Sequence, residues 1–143
     1  MSLKLKKIAM NSRVAFENKI DTVKKDKVLK KFANLLFINK KNILRQNYKD
    51  IEIAKKKKLK ENFVNRLLMN EKKIDDIIKS INQITKIKDP TNKTLDTWKR
   101  PNGLKIKKVT IPIGVIAVIY ESRPNVTSDI ASLCFKSGNS VIL

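Results

Sequence analysis

A polar segment of five residues, Glu121 to Asn125, holds the side chains best placed for chemistry. It follows the continuous apolar run Val115 to Tyr120 and precedes a stretch with helical spacing, so it joins a strand to a helix. In open α/β sheets, ligands bind beyond the carboxyl ends of the strands, where this turn lies. Free N–H groups and the positive dipole end of the helix suit a phosphate or a developing oxyanion. We predict that Asn125 caps this helix and that Pro124 fixes the direction of the chain.

The residue types that the sequence lacks narrow the chemistry further. The 143 residues contain no His and one Cys, which excludes a His-based general base, the usual His/Cys zinc site and an intrachain disulfide. The turn contains no G-x-G-x-x-G, so the standard dinucleotide-binding fingerprint is missing. The one thiol, Cys134, falls on the apolar face of the predicted helix, and we interpret it as a buried structural residue.

A net charge of +20 raises the alternative of a lysine-rich helical protein that binds nucleic acid or a membrane surface. Of the 33 basic residues, 28 are Lys and five are Arg, whereas readers of bases and phosphates rely on the planar fork of Arg. Aromatic residues make up only 6%, which offers little for base stacking. The sequence has neither a secretory signal nor an apolar run of the ~18 residues that span a bilayer. We therefore expect a cytoplasmic protein with no specific nucleic-acid partner and no membrane.

Residues 1–89 contain no glycine and no proline, which predicts an N-terminal helical segment. One helix is predicted to begin after the N-cap Asn70 and to end before Asp89-Pro90. The four lysines Lys55 to Lys58 are interpreted as an exposed helix end. Three buried faces follow from helical spacing. They comprise Leu29, Phe32, Ala33, Leu36 and Phe37; Ile43, Leu44, Ile51 and Ala54; and Ile74, Ile77, Ile78, Ile81 and Ile84.

Residues 90–108 are predicted to be a connecting loop and an extended strand. Asp89 to Asn102 is read as a polar connection. From Leu104 to Ile113, apolar residues alternate with polar ones, which predicts one face toward a core, with a bulge at Lys107-Lys108.

Residues 109–143 are predicted to begin an α/β domain. Val115 to Tyr120 is read as a strand buried on both faces, Val126 to Lys136 as a helix with a solvated Lys136 at its end, and Val141 to Leu143 as a second strand. Gly138 lies where a helix C-terminus favours a left-handed residue. Strand, helix and strand over about 30 residues predict a βαβ crossover with parallel strands, which alone leaves edges unpaired, so we expect an incomplete fragment.

The run from Ile111 to Thr127, IPIGVIAVIYESRPNVT, resembles the signature of glutamyl-phosphate reductase (glutamate-5-semialdehyde dehydrogenase), which reads P-x-G-V-x-x-V-I-Y-E-x-R-P-N-V-T. The similarity continues through the following helix and strand to Leu143, and Asn65 to Leu68 also falls in the order of that family. The string Y-E-x-R-P-N-V is specific, whereas P-x-G-V alone is typical of the wider aldehyde dehydrogenase superfamily.

This resemblance implies an α/β fold: an N-terminal helical segment followed by the first βαβ of an aldehyde-dehydrogenase-like nucleotide-binding domain, left incomplete here. It implies NADPH-dependent reduction of L-glutamyl 5-phosphate to L-glutamate 5-semialdehyde and phosphate in proline biosynthesis. The catalytic cysteine of that family lies far downstream of this segment, so we expect an inactive N-terminal fragment, and a homo-oligomer in the full-length protein. A dehydrogenase for a different acyl group is the rival enzyme hypothesis.

The resemblance also assigns roles to the turn. Asn125 is the candidate catalytic residue, as a hydrogen-bond donor to the oxyanion. The candidate cofactor-binding residues are Tyr120, Glu121, Ser122, Arg123 and Pro124. For Arg123, contact with a phosphate of substrate or cofactor and a simple pairing with Glu121 or a carbonyl are equally open.

Overall fold

The structure, a computed structural model, describes residues 3–121 and 123–143. Within them, six helices and four strands follow one another. They are α1 Leu3–Glu17, α2 Thr22–Ile38, α3 Lys40–Lys56, α4 Glu61–Leu67, α5 Glu71–Lys86, β1 Thr94–Lys99, β2 Lys105–Val109, β3 Val115–Ala117, α6 Pro124–Lys136 and β4 Ser140–Ile142. None of the helices described combines the length and apolar content that crossing a bilayer requires.

The core lies between α2, α5 and α6, and the isoleucine face of α5 forms its centre. Ile74, Ile77, Ile81 and Ile84 are buried, and Ile78 is partly buried against them, as the spacing predicts. The predicted cap is also confirmed, because the side chain of Asn70 accepts a hydrogen bond from the backbone N–H of Lys73 at 2.8 Å. Burying each of these side chains stabilises the fold by about 1.5–3 kcal/mol.

Helix α2 supplies the opposite side of this core. Leu29 and Ala33 are buried, and Phe32 and Leu36 pack against the cluster. Phe37 is 63% exposed, so its predicted burial is wrong. Residues spaced three and four apart define an apolar stripe on α2 that is wider than the surface in contact with α5. Phe37 lies at the edge of this stripe, away from α5.

Helix α3 carries a second, smaller buried face. Ile51 and Ala54 are buried, and Ile43 and Leu44 are half-buried. The predicted lysine-rich helix end is confirmed, since α3 ends at Lys56 and the run Lys55 to Lys58 is exposed.

A β-hairpin occupies much of the segment that the sequence indicated as a polar connection. Strand β1 lies inside that segment and pairs antiparallel with β2, around a turn in which the backbone N–H of Arg100 donates to Leu104 O at 2.9 Å. The register shifts between Thr94 and Asp96, so the irregularity is in β1 and not at Lys107-Lys108. Every residue of β1 is exposed, which leaves no apolar alternation by which a strand is recognised.

The prediction that residues Leu104 to Ile113 turn one face toward a core is wrong. Leu104 is 57% exposed and Ile113 is 85% exposed, while only Ile106 of strand β2 is half-buried. The alternation is real, but this part of the chain stands out from the helical core, so its apolar face meets solvent.

The predicted βαβ unit is confirmed as a parallel pair of strands joined by α6. Val115 lies opposite Ser140, and beyond the end of β3 the backbone N–H of Val118 still donates to Ile142 O at 3.0 Å. The strand is shorter than the predicted Val115 to Tyr120. It is also not buried on both faces, because Val115 and Ile116 are half-buried and Ile119 is fully exposed. A sheet of two short strands has too few neighbours to cover it.

Gly138 has the predicted left-handed conformation after the end of α6, with φ of +71°. A Cβ at this position would lie 3.2 Å from Pro112 Cγ and 3.4 Å from Lys25 Nζ. Glycine is therefore favoured twice, by the backbone angle and by the close approach of the chain before β3.

Candidate functional site

The polar turn Glu121 to Asn125 lies at the carboxyl end of β3, against the N-terminus of α6, as the sequence predicts. Ser122 lies outside the described residues. Across the base of the turn, the hydroxyls of Tyr120 and Thr127 share a hydrogen bond of 2.5 Å. This bond joins the end of the strand to the first turn of the helix and holds the two elements in register around the turn.

Helix α6 begins two residues earlier than it would if Asn125 were the cap. The N-cap is Arg123, Pro124 is the first helical residue, and Asn125 is the second, so the predicted cap is wrong. Proline is favoured at the first helical position because its φ suits the helix and its missing N–H had no intrahelical partner. The proline therefore moves the cap to the residue before it.

Among the residues that the structure describes, no side chain caps the N-terminus of α6, and its N–H groups keep their capacity to bind an external acceptor. Asn125 is exposed, and in the described part of the chain its side chain makes no hydrogen bond. An exposed amide beside an uncapped, positively polarised helix end can donate to an anion or an oxyanion.

Glu121 and Arg123 flank the turn, and both are exposed. Between described residues, no ion pair links these two side chains. The guanidinium of Arg123 thus faces solvent at the same end of the helix as the uncapped N–H groups, and both are positive.

Cys134 lies far from this turn, in the last turns of α6. It is a free thiol and only 7% exposed, which confirms the predicted buried position. Burial raises the pKa of the Cys134 thiol, because a low-dielectric surrounding disfavours the thiolate. A thiol of this kind is a poor nucleophile.

Lys136, predicted to be solvated, is 3% exposed, and that prediction is wrong. Its ammonium pairs with the carboxylate of Asp26 on α2 and donates to Thr85 O of α5 at 3.2 Å. The prediction failed because Asp26 lies 110 positions away in the sequence, and local spacing cannot reveal a partner at that distance. Through Lys136, the end of α6 is fixed to both helices of the core.

A second buried lysine, Lys25, pairs with Asp89 at 2.8 Å. Asp89 also accepts hydrogen bonds from the hydroxyl of Thr22 and from the N–H and hydroxyl of Thr91. Burial raises the pKa of Asp89, but the hydrogen bonds from Lys25 and Thr91 outweigh it and hold that pKa well below its usual range. The sequence analysis located Asp89-Pro90 only as the end of a helix, and no local pattern indicated that Asp89 pairs with Lys25.

Two hollows lie near these elements. A recess of about 340 Å³ lies between α3, α5 and the start of α6, with Pro124 and Ser128 on its wall. A larger cavity of about 750 Å³ lies between α1, α2, α6 and β4, away from the turn. Across residues 3–121 and 123–143, no cluster of three or more His, Cys, Asp or Glu side chains could hold a metal ion.

No protein-family model matches the chain. It is similar to proteins named gamma-glutamyl phosphate reductase. The protein of Desulforamulus reducens is 38% identical over 141 residues, which are 97% of this chain and 34% of that protein. The protein of a Nitratiruptor species is 48% identical over 125 residues, which are 87% of this chain and 30% of that protein.

Solved structures give the same result. The gamma-glutamyl phosphate reductase of Thermotoga maritima superposes with a TM-score of 0.88 at 41% identity, over 93% of this chain and 33% of that one. The enzyme of the same name from Saccharomyces cerevisiae gives 0.89 at 32% identity, over 100% of this chain and 37% of that one. The chain thus spans about a third of the length of the curated relatives it matches.

Proposed function

This chain is homologous, in sequence and in fold, to the N-terminal part of the gamma-glutamyl phosphate reductases, and we propose that it contributes to the reaction their name describes. That reaction is the NADPH-dependent reduction of L-glutamyl 5-phosphate to L-glutamate 5-semialdehyde and phosphate, in proline biosynthesis. In this proposal the chain supplies the N-terminal helical segment, residues 1–89, the connection 90–108, and the start of the nucleotide-binding domain, 109–143.

One observation carries the proposal: the polar turn at the carboxyl end of β3, beside an uncapped helix N-terminus. This is the ligand-binding position of parallel α/β sheets. Both the substrate and the cofactor carry phosphate, and the exposed Arg123 adds a positive charge to the positive end of the α6 dipole.

The same groups fit a nicotinamide cofactor, which supplies the hydride when it is bound. Tyr120, Glu121, Arg123 and Pro124 form the wall that this chain offers to it. The Tyr120 hydroxyl shares a hydrogen bond with Thr127, so Tyr120 offers the cofactor its ring. The same bond fixes the position of the turn. Arg123 is the group with charge to offer a phosphate.

Asn125 is the proposed catalytic residue. Reduction of an acyl phosphate places negative charge on the carbonyl oxygen, and fixed donors that face this oxygen lower the barrier. The side-chain amide of Asn125 is exposed beside the backbone N–H groups of the first turn of α6. Two kinds of donor can therefore converge on one oxygen.

The nucleophile is proposed to come from outside this chain. Attack on an acyl phosphate by a thiolate expels phosphate and leaves a thioester, which requires an accessible cysteine of low pKa. Cys134 is buried with a raised pKa, so it does not meet that requirement. The chain alone is expected to show no phosphate-dependent oxidation of glutamate semialdehyde with NADP.

The experiment is a chimera in which this chain replaces the matching third of the Thermotoga maritima enzyme. We expect NADP-dependent turnover of glutamate semialdehyde and phosphate by the chimera. Asn125→Ala should then lower kcat by about 10²–10³, the cost of one oxyanion donor, with a small change in KM. Asn82→Ala is the matched control, since Asn82 is also exposed on a helix but lies on α5.

An Asn125→Ala chimera with the turnover of the parent would remove Asn125 from the oxyanion role. Turnover by the isolated chain would overturn the assignment of the nucleophile. Arg123→Gln separates the two interpretations of that residue, because a phosphate contact predicts a higher KM for phosphate or NADP, whereas a structural pairing predicts neither. As a biosynthetic reductase, the full protein is expected in the cytoplasm and as a homo-oligomer, which sedimentation would measure.

A further inference from the structure

The amide of Asn125 is not fixed by contacts of its own. Its side chain is exposed and makes no hydrogen bond within the part of the chain that the structure describes. Its position therefore follows from the backbone that carries it, at the second residue of α6. Helix ends without a side-chain cap fray. Any group that restrains this end of α6 also determines where Asn125 lies.

The body of α6 is fixed further along the helix. Ser80 Oγ on α5 donates to Asp129 Oδ1 at 3.1 Å, and Lys136 pairs with Asp26 of α2. Asn125 precedes both of these anchors. They hold the helix against the core, but they do not restrain the chain that enters it.

The hydrogen bond between the hydroxyls of Tyr120 and Thr127 supplies that restraint. Its partners lie on the two sides of Arg123 and Asn125, seven positions apart in the sequence. Of the residues that the structure describes, these two make the one hydrogen bond that crosses the turn from the strand side to the helix side. A segment held at both ends has fewer conformations, so the bond limits how far Arg123 and Asn125 can move.

We propose that Thr127 is a positioning residue for the reaction: through its bond to Tyr120, it holds Asn125 where the oxyanion forms. The inference rests on the proposed function, which assigns the oxyanion to Asn125. Thr127 itself contacts neither substrate nor cofactor in this arrangement. Misplacing a reacting group by about 1 Å can cost about 10² in rate, so an exposed hydroxyl can affect turnover much more than it affects stability.

The first test uses the chimera with the Thermotoga maritima enzyme. Thr127→Val removes the hydroxyl and keeps the branched shape, and it should lower kcat about tenfold with a small change in KM. Thr127→Ser keeps the hydroxyl and should restore most of the loss. Thr85→Val is the matched control, because the Thr85 hydroxyl donates to Asn82 O at 2.7 Å within α5, away from the turn. Equal losses in Thr127→Val and Thr85→Val would overturn the proposal.

Double variants test the path of the effect. If Thr127 acts through Tyr120 and Asn125, Thr127→Val should cause little further loss of kcat in a Tyr120→Phe or an Asn125→Ala chimera. A full additional loss with Tyr120→Phe would show that the bond does not carry the effect. A full additional loss with Asn125→Ala would show that the effect does not pass through Asn125. Either result refutes the assignment.

Hydrogen exchange of the 143-residue chain tests the positioning without turnover. The backbone N–H of Val126 donates to Arg123 O at 3.1 Å, so its exchange reports on closure of the first turn of α6. Thr127→Val should accelerate this exchange about threefold, the effect of one net hydrogen bond, and leave buried Ile81 unchanged. Unchanged exchange at Val126, or equal acceleration at Val126 and Ile81, would contradict the local role of Thr127.

The outcomes also separate this inference from the proposed function. An inactive chimera, or an Asn125→Ala chimera with parental turnover, refutes the proposed function, and exchange at Val126 then decides whether Thr127 holds the turn. An active chimera that is slowed by Asn125→Ala but not by Thr127→Val refutes the positioning role and leaves the proposed function standing.

Discussion

The helical core and the β3–β4 sheet differ in how completely they bury their own apolar side chains. In the core, α2 and α5 bury Leu29, Ile74 and Ile81 to 2% exposure or less. In the sheet, Ile119 is fully exposed and Val115 is only half-buried. The sheet region nevertheless carries the polar turn. The core is therefore the part that holds the fold, and the sheet is the part that depends on further structure to cover it.

The largest expected effect compares one isoleucine from each region. Ile81→Ala removes a side chain with no exposed surface and should lower the free energy of unfolding by about 4 kcal/mol. Ile119→Ala should change it by about 0.5 kcal/mol or less, because that side chain is already in water. Urea denaturation of the 143-residue chain, followed by circular dichroism, measures both. Equal effects would refute the division into a self-sufficient core and a dependent sheet.

The next effect concerns the buried ion pair beside the core. Lys25→Met leaves Asp89 with a buried charge and fewer donors, which should cost about 3 kcal/mol. Its neighbour Lys24 is exposed and pairs with exposed Asp21, so Lys24→Met should cost about 0.5 kcal/mol or less. The same denaturation experiment applies, and a loss at Lys24 as large as that at Lys25 would contradict the argument.

This pair also fixes the sign of the pH dependence. The folded-state pKa of Asp89 is depressed, so its contribution to stability is present above its unfolded pKa of about 4 and is lost as pH falls through the folded value. Stability of the chain should therefore decline with acid below about pH 4, and Lys25→Met should flatten that decline. An unchanged acid slope in the variant would show that other carboxylates dominate it.

The smallest effect tests the join between the two regions. Gly138→Ala meets both an unfavourable backbone angle and Pro112 Cγ, and should cost about 2 kcal/mol. Gly103, in the hairpin, also has positive φ but open space around it, so Gly103→Ala should cost about 1 kcal/mol. If Gly138→Ala leaves the main transition unchanged, the sheet unfolds separately from the core, and the coupling through α6 is refuted.

Local patterns predicted the elements whose stabilising contacts are local. The isoleucine spacing of α5, the Asn70 cap and the left-handed Gly138 depend on neighbours within a few residues, and all three are confirmed. The polar turn was likewise located, because a strand followed by a helix leaves little choice of position.

Contacts between distant residues could not be predicted in this way. Lys136 was expected in solvent because Asp26, its partner on α2, is not adjacent in the sequence.

Two local features were also missed. Strand β1 was not predicted because a strand with every residue exposed has no apolar alternation. The cap of α6 was misplaced by two residues, since Pro124 was interpreted as part of the turn and not as the first helical residue.

The order of the core elements along the chain also bears on how the protein folds during synthesis. Every side chain of the buried cluster, and Phe135 that packs on it, precedes Lys136. A nascent chain that has left the ribosome to that point can close its core before any later segment appears, as N-terminal units generally do. During that interval β3 is not yet paired with β4, so its edge is uncovered. The net charge of +20 then matters, because mutual repulsion between such chains opposes their aggregation until β4 pairs with this edge.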